Sequence, residues 1–146
     1  MTTRIDLHSE QDTIDLAYYL GPMLKPGSII TLAGELGSGK TFFVKALGAF
    51  LGISEQIVSP SFILFKEYHG GRFPLYHLDL YRLKKEEELL ELGILDFIET
   101  GITVIEWPEI AENYLPYQTL RLYFGFDNDH RFVEINPADE LKQFFT

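Results

Sequence analysis

The pattern of apolar and polar residues in the first part of the chain predicts a strand, a helix and a second strand. Residues 4–8 alternate in polarity like a short strand, and Ser9 with Asp12 resembles a capping box that opens a helix through about residue 24. Residues 29–33, with the sequence IITLA, form a continuous apolar run that is typical of a buried parallel strand.

The middle of the chain predicts a second helix and a hairpin. An apolar-periodic helix should run through about residue 51 and end at Gly52. Residues 61–68 and 73–80 have the pattern of two strands, joined by a loop that contains two glycines.

The last part of the chain alternates between the two kinds of element. Residues 84–92 predict a charged helix stopped by Gly93, and residues 102–105 predict another buried strand, after which Pro108 can start a short helix. Residues 118–126 and 131–135 predict a second hairpin, and Asn136 with the following proline predicts the start of a terminal helix.

Together these elements predict an α/β fold with a mixed parallel and antiparallel sheet flanked by helices. With 146 residues and no linker, repeat or break in composition, residues 1–146 are expected to form a single domain. Apolar residues make up 46% of the chain, which is enough to form a core.

Composition excludes several kinds of site. The chain has no cysteine, so disulfides, thiolate metal sites and a cysteine nucleophile are ruled out. Its four histidines lie far apart in the sequence, which argues against a zinc site. No signal peptide and no apolar run of membrane-spanning length occur, so a cytoplasmic protein without a membrane association is expected.

The charge balance argues against direct contact with nucleic acid. Twelve Lys and Arg stand against twenty-two Asp and Glu, for a formal net charge of −10. Such a surface repels RNA and anionic membranes, so a partner would have to hold any RNA substrate.

The motif with the most specific chemistry is GELGSGKT at residues 34–41, which matches the phosphate-binding loop pattern G-x-x-x-x-G-K-[ST]. The motif follows a predicted buried strand and opens a predicted helix, which is the structural setting that phosphate binding by such a loop requires. Lys40 should reach the β- and γ-phosphates of a nucleotide, and the Thr41 hydroxyl should ligate Mg²⁺.

Acidic residues at the ends of apolar strands are candidates for holding Mg²⁺. Glu106 ends the strand at residues 102–105, at the edge where open α/β sheets bind ligands. Trp107 and Glu109 follow it, and on spacing alone Trp107 fits the core better than the site, while the role of Glu109 stays open.

The sequence HLDLYR at residues 77–82 forms a second polar cluster. On a strand, His77 and Asp79 share one face, so Asp79 is a candidate second Mg²⁺ carboxylate or a group that positions water. Arg82 could neutralise charge on a transferred phosphoryl group. The alternative for the whole cluster is a surface pair, either Asp–Arg or His–Asp.

Residues 58–62, with the sequence VSPSF, follow the helix that is predicted after the phosphate-binding loop. Many nucleotide hydrolases carry a segment that senses the γ-phosphate at this point. An ordinary turn is the alternative on pattern alone. The guanine-recognition patterns Asn-Lys-x-Asp and Asp-x-x-Gly do not occur, which favours adenine as the base.

Four segments, GELGSGKT, SPSF, HLDLYR and EWPE, occur in an order and spacing that resemble the TsaE family of bacterial P-loop ATPases. This family is required for threonylcarbamoyladenosine modification of tRNAs that read codons starting with A. Ser61 stands where the family pattern usually has threonine, so the hydroxyl is retained and only the methyl packing differs.

The resemblance implies ATP and Mg²⁺ as cofactors, with Thr41, Asp79 and Glu106 around the metal and residues 59–62 as a switch-like segment. Lys40, Asp79 and Glu106 are the expected catalytic residues. The expected nucleotide-binding residues are Glu35, Leu36, Gly37, Ser38, Gly39, Lys40, Thr41, Phe42 and Trp107. The resemblance also implies assembly with TsaB and TsaD, where TsaD performs the transfer chemistry and ATP hydrolysis resets the complex.

Two other functions remain open at this point. A small-molecule P-loop kinase would need an arginine-bearing lid, and the five arginines do not cluster. A nucleotide-dependent binding module that does not hydrolyse ATP would share the same loop, so an assay with partners is needed to separate it from an ATPase.

Overall fold

The computed structural model describes residues 2–35, 37–58, 65–116 and 118–136. The strands are β1 (Thr3–Leu7), β2 (Ile29–Gly34), β3 (Phe65–Tyr68), β4 (Leu75–Asp79), β5 (Ile102–Glu106), β6 (Leu120–Asp127) and β7 (His130–Asn136). The α-helices are α1 (Glu10–Leu20), α2 (Lys40–Phe50), α3 (Glu86–Glu91) and α4 (Ile94–Phe97). Short 3-10 helices cover Gly21–Met23, Ile98–Thr100 and Pro108–Tyr114.

All seven strands belong to one sheet, in the order β1-β7-β6-β2-β5-β4-β3. The four central strands, β6, β2, β5 and β4, are parallel, whereas β3, β7 and β1 pair in antiparallel fashion at the two sides. The prediction of a mixed α/β sheet flanked by helices is therefore confirmed. The parallel strands β4 and β5 are buried at every residue, as expected for strands that are covered on both faces.

Buried apolar residues form one cluster on each face of the sheet. On the first face, α1 and α2 pack against the central strands through residues such as Leu16 and Leu47. On the second face, α3, α4 and the last 3-10 helix pack through Leu89, Ile94 and Ala111. The sheet thus lies between two helical layers, with α2 on the first face.

The predicted first helix begins where expected but ends early. Ser9 is its N-cap, and the Ser9 side chain accepts a hydrogen bond from the N–H of Asp12. The helix ends at Leu20, and a 3-10 turn replaces the predicted last turn because Pro22 has no N–H to continue the α-helix. The Asp12 carboxylate accepts from the N–H of His8, one residue before the cap.

Both predicted hairpins are present, with shifted boundaries. β3 and β4 pair from Phe65↔Leu78 to Tyr68↔Leu75, and predicted strand residues 61–64 lie outside the described residues. In the second hairpin, Asp127 pairs with His130, so the connection is two residues and not the predicted four. Asn128 adopts a positive φ of 57°, which this short turn tolerates in asparagine.

Between β4 and β5 the chain contains two helical segments that the pattern does not predict, α4 and the 3-10 helix Ile98–Thr100. The charged helix α3 is confirmed, although it covers only six residues. Gly93 follows it with a φ of 71°, and Ile94 immediately starts α4, where its side chain is buried. The predicted terminal helix begins at residue 137 and lies outside the described residues. Across the four described ranges, no helix is long and apolar enough to cross a membrane.

Replacing Leu47 with alanine should destabilise the fold, because this side chain is fully buried between α2 and the sheet. A buried Leu→Ala change costs about 2–5 kcal/mol of unfolding free energy. Leu95→Ala is the matched control, since Leu95 is 63% exposed on α4 and should cost at most about 0.5 kcal/mol. Urea unfolding of both variants measures this, and equal losses would contradict the packing of α2 on the sheet.

Candidate functional site

The loop between β2 and α2 has a backbone conformation that favours glycine. Gly34 ends β2 with a φ of 132°, and Gly39 precedes α2 with a φ of 107°. A Cβ on Gly34 would lie 2.2 Å from the backbone oxygen of Phe124, so a larger residue does not fit there. None of the described side chains caps α2 at Gly39, which leaves the N–H groups of the first helical turn available to an anion.

Ser38 lies inside this loop with an unmet hydrogen-bonding need. It is 1% exposed, and its Oγ has no hydrogen-bond partner among the described residues. Its backbone N–H donates to the carbonyl oxygen of Glu35 over 3.2 Å, which closes the turn. A buried hydroxyl without a partner is costly, and an oxygen of a bound phosphate group would satisfy it.

Lys40 is the buried cation of the site. Its Nζ donates a hydrogen bond to the carbonyl oxygen of Gly34 over 2.5 Å, within the loop that the same lysine closes. Burial lowers the pKa of Lys40, and the negative charges of Glu106 and Asp79 act in the opposite direction. A partly desolvated ammonium in this position is a strong binding group for a phosphate oxygen.

Two carboxylates face this lysine from the ends of neighbouring strands. Asp79 ends β4 and Glu106 ends β5, and the parallel register pairs the two residues directly. Both are buried. Burial raises the pKa of Asp79, and the neighbouring charge of Glu106 raises it further. The N–H of Tyr81 donates a hydrogen bond to the Asp79 carboxylate, which acts in the opposite direction and lowers this pKa.

Glu106 has a second buried partner, His77, which is two residues before Asp79 on β4. The Nε2 atom of His77 lies 2.6 Å from Oε2 of Glu106, and His77 is 0% exposed. The predicted sharing of one face by His77 and Asp79 is therefore seen in the sheet. The alternative of a surface ion pair does not hold for His77, because its partner is Glu106 and the pair is buried.

Trp107 covers the lysine from the other side. It follows Glu106 with a φ of 56°, an uncommon conformation for a residue with a side chain, and its N–H donates to the carbonyl oxygen of Leu32. The Nζ of Lys40 lies 3.8 Å from the centroid of the indole ring, a cation–π distance. Tyr81, which is 67% exposed, contacts the same indole ring. Spacing alone favoured a core role for Trp107, whereas the structure places it beside the site.

Lys40, Asp79 and Glu106 open onto one cleft of about 710 Å³, whose lining does not include Ser38, His77 or Trp107. From the predicted set, the residues that line it are Gly37, Gly39, Lys40, Thr41, Phe42, Asp79 and Glu106. The structure therefore brings the loop and the acidic pair together, as the sequence analysis expected. Glu35 is exposed at the start of the loop, and Leu36 lies outside the described residues.

The far wall of the cleft comes from residues that the sequence analysis did not select. They are Leu7, His8, Ser9, Glu10, Thr13, Phe126, Asp129, His130 and Arg131. They belong to the junction of β1 with α1 and to the β6–β7 hairpin, and Arg131 donates a hydrogen bond to the carbonyl oxygen of Gly37 in the loop. The hairpin was predicted from its local pattern, but no local signal places it against the loop.

Two other candidate site residues are exposed outside the cleft lining, and one candidate segment lies outside the described residues. Arg82 is exposed on the turn after β4. Glu109 is also exposed, at the start of the last 3-10 helix, and its charge acts on Lys40. The switch-like segment at residues 59–62 lies outside the described residues.

The donor set fits a magnesium–nucleotide complex better than a bare metal ion. Within the described ranges, no group of three or more His, Asp or Glu side chains is arranged to hold a metal ion. Mg²⁺ is commonly held by one or two carboxylates together with substrate phosphates and water. Thr41, Asp79 and Glu106, which all line the cleft beside the glycine loop, supply that incomplete set.

Fold and site together define an α/β protein in which a glycine-rich loop joins a central parallel strand to a helix beside a pair of strand-end carboxylates. The chain belongs to the TsaE family, because the model of that family, described as threonylcarbamoyl adenosine biosynthesis protein TsaE, matches residues 7–133. The resemblance inferred from the four sequence motifs is therefore confirmed.

Individual relatives agree with this assignment. The chain is 48% identical over 141 residues to a protein from Nostoc sp. (strain PCC 7120) named tRNA threonylcarbamoyladenosine biosynthesis protein TsaE, covering 92% of this chain and 86% of the relative. A protein of the same name from Rickettsia bellii is 40% identical over 131 residues, covering 88% and 91%. The crystal structure of Bacillus subtilis YdiB superposes with a TM-score of 0.80 at 28% identity, covering 100% of this chain and 97% of that one.

Replacing Asp79 with asparagine should raise the melting temperature in the absence of metal and nucleotide. The pKa of Asp79 is higher in the folded chain than in the unfolded chain, so the folded state loses stability as the pH rises through that interval. At pH 7 the asparagine avoids this loss and keeps an oxygen for the N–H of Tyr81. We expect Tm to rise by about 2–4 °C, equivalent to about 1 kcal/mol for a chain of this size.

Asp15→Asn is the control for this substitution, because Asp15 is exposed on α1 and should leave Tm almost unchanged. Differential scanning calorimetry of both variants in EDTA provides the measurement. A lower Tm for Asp79→Asn would contradict this expectation, because it would mean that the carboxylate stabilises the folded chain.

Proposed function

We propose that this chain is a magnesium-dependent ATPase that acts in threonylcarbamoyladenosine modification of tRNA. One observation carries the proposal, namely that the β2–α2 loop, Lys40 and the Asp79–Glu106 pair meet in a single cleft at the carboxyl edge of the parallel strands. Membership of the TsaE family supports the tRNA-modification part, since its relatives are named for that biosynthesis.

The loop and the start of α2 bind the phosphates of ATP in this proposal. Backbone N–H groups of the loop and the N-terminal end of the 11-residue helix α2 offer partial positive charge. Lys40 exchanges its contact with the neutral Gly34 carbonyl for a charged phosphate oxygen. The Ser38 hydroxyl, which has no partner among the described residues, donates to another phosphate oxygen.

Thr41, Asp79 and Glu106 would hold Mg²⁺, which supplies charge neutralisation for the β- and γ-phosphates when it is bound. In the reaction, water attacks the γ-phosphate and the bond to the β-phosphate oxygen breaks, giving ADP and inorganic phosphate. The residues of this chain contribute by positioning the phosphates and by placing Lys40 against the developing charge.

The nucleoside half of ATP fits the far wall of the cleft. Phe126 and His130 offer ring surfaces there, and the His130 ring lies 5.6 Å from that of His8, measured between centroids. The hydrogen bond from Arg131 to the Gly37 carbonyl ties this hairpin to the phosphate loop. Binding of both halves of the nucleotide would therefore join the loop, the β6–β7 hairpin and the start of α1.

Partners of the TsaB and TsaD types would supply the remaining functions. The resemblance carried by the four motifs implies such a complex, in which ATP turnover drives or resets the assembly that modifies tRNA. The net charge of −10 supports this division, because this chain offers few groups to neutralise RNA phosphates.

Phosphate release from ATP, measured with and without TsaB and TsaD partners and a tRNA substrate, tests the proposal. We expect slow release by the chain alone and faster release in the assembled complex. Transfer of the γ-phosphate to an acceptor would instead identify a kinase. Nucleotide binding without turnover under every condition would identify a binding module.

Replacing Lys40 with alanine should weaken ATP binding by about tenfold to a hundredfold and abolish phosphate release. The lost charge-assisted contact is worth about 1.5–3 kcal/mol, and each 1.4 kcal/mol is a factor of ten in affinity. Isothermal titration calorimetry gives the affinity, and a phosphate-release assay gives the turnover.

Lys45→Ala is the matched control for the Lys40 substitution. Lys45 lies on the same helix, α2, with an exposed side chain, so its removal should change neither affinity nor turnover by more than about twofold. Near-normal turnover in Lys40→Ala would refute the assignment of the phosphate loop.

The isolated chain should bind tRNA only negligibly at physiological salt. Nucleic-acid affinity depends largely on Lys and Arg, and twelve of them against twenty-two acidic residues cannot neutralise many phosphates. Fluorescence anisotropy with labelled tRNA should give a dissociation constant weaker than about 100 μM. Salt-sensitive binding in the low micromolar range would mean that the chain contacts RNA directly.

A further inference from the structure

His77 is a fully buried polar side chain to which the proposed reaction gives no role. It lies in the middle of β4, a strand whose five residues are all buried. Nε2 of His77 lies 2.6 Å from Oε2 of Glu106, and Nδ1 has no hydrogen-bond partner among the described residues. Histidine at such a position is costly for a core that could use an apolar residue, so its contact with Glu106 calls for an explanation.

The position of His77 follows from the sheet. Every second residue of β4 lies on the face of the sheet that α2 covers, namely Leu75, His77 and Asp79. On β5, the same face carries Val104 and Glu106. This face is apolar at Leu75, Ile102 and Val104 and becomes polar from His77 to the carboxyl edge. His77 is therefore the last side chain between the apolar core and the carboxylate pair.

We propose that His77 is a positioning residue that fixes the carboxylate of Glu106 for the magnesium–nucleotide complex. The inference rests on the proposed function. An ionised carboxylate can only accept hydrogen bonds, so Nε2 of His77 carries the proton and donates it to Oε2. One oxygen of Glu106 is then engaged in the core, and the carboxylate keeps one orientation towards the cleft that it lines.

A hydrogen bond from the core would hold the Glu106 carboxylate in one orientation beside the neighbouring carboxylate of Asp79. The Glu106 side chain is 3% exposed, and the register pairs it with a second carboxylate, Asp79. A carboxylate without a fixed orientation would bind Mg²⁺ and its water poorly. Hydrogen-bonded groups behind metal-binding side chains commonly change metal affinity by about tenfold to a hundredfold when they are removed.

The first test compares His77→Leu, which removes the donor, with His77→Gln, whose amide nitrogen can reach a position close to that of Nε2. The readout is binding of ADP, followed by the emission of the single tryptophan, Trp107, as Mg²⁺ is titrated. We expect the Mg²⁺ concentration at half-saturation to rise about tenfold in His77→Leu and to return to within about threefold of wild type in His77→Gln. ADP binding in EDTA should stay unchanged in both variants.

Thr103→Val is the control for loss of a buried polar group in the same part of the sheet. Thr103 is fully buried on β5, on the opposite face from Glu106, and its Oγ1 has no partner among the described residues. It should leave the Mg²⁺ titration unchanged. A second comparison places His77→Leu in a Glu106→Gln background, where it should add less than a twofold change because its target is gone.

A spectroscopic measurement on the wild-type chain does not depend on any variant folding. Nitrogen-15 NMR of the imidazole should find a proton on Nε2 of His77, and Glu106→Gln should shift that resonance. A His77 protonated only on Nδ1 would overturn the inference, as would a His77→Leu variant that titrates Mg²⁺ like wild type. A wild-type chain whose ADP binding ignores Mg²⁺ would overturn the proposed function together with this inference.

Discussion

The parallel pairing of β2, β5 and β4 determines where the two carboxylates of the cleft lie relative to the glycine loop. β5 pairs with β2 so that Glu106 is opposite Leu32, and with β4 so that Glu106 is opposite Asp79. Because parallel strands end at the same edge, both carboxylates meet the loop that leaves β2 at Gly34. A slip of one residue in either pairing would turn Glu106 to the other face of the sheet and away from the loop.

Collecting these groups at one edge places several charges where water is scarce. Lys40, Asp79, Glu106 and His77 are all buried, and burial shifts the pKa of Lys40 downwards and that of Asp79 upwards. Contacts inside the site offset part of this cost, including the cation–π contact of Lys40 with Trp107 and the pairing of His77 with Glu106. A site that is held at a cost to stability before its ligand arrives is the usual compromise between stability and binding.

The parts of the site that depend on local sequence could be predicted. The apolar run of β2, the glycines and the start of α2 are consecutive, so their geometry follows from neighbouring residues. Glu106 could be selected because it ends an apolar strand, and Asp79 because it shares a strand face with His77. The early end of α1 could also have been predicted from Pro22. Proline stops the α-helix there, although the apolar pattern continues beyond it.

The rest depends on contacts between distant parts of the chain. The far wall of the cleft exists because β1 pairs with β7 and β7 with β6, which brings His8 and His130 together across most of the sequence. No single-sequence pattern specifies that strand order. The contact of Trp107 with Lys40 depends on a positive φ at a tryptophan, which sequence preferences disfavour. The burial of the His77–Glu106 pair likewise follows from the register of β4 and β5.

The central claim is that the glycine loop and the strand-end carboxylates form one site for a metal–nucleotide complex. A crystal structure with Mn²⁺ in place of Mg²⁺ and a non-hydrolysable ATP analogue tests it most directly, because the anomalous signal of manganese locates the metal. The account predicts phosphates on the loop at residues 37–41 and the metal between Thr41 and the carboxylates of Asp79 and Glu106. Phosphates bound outside the loop, or manganese away from these carboxylates, would contradict it.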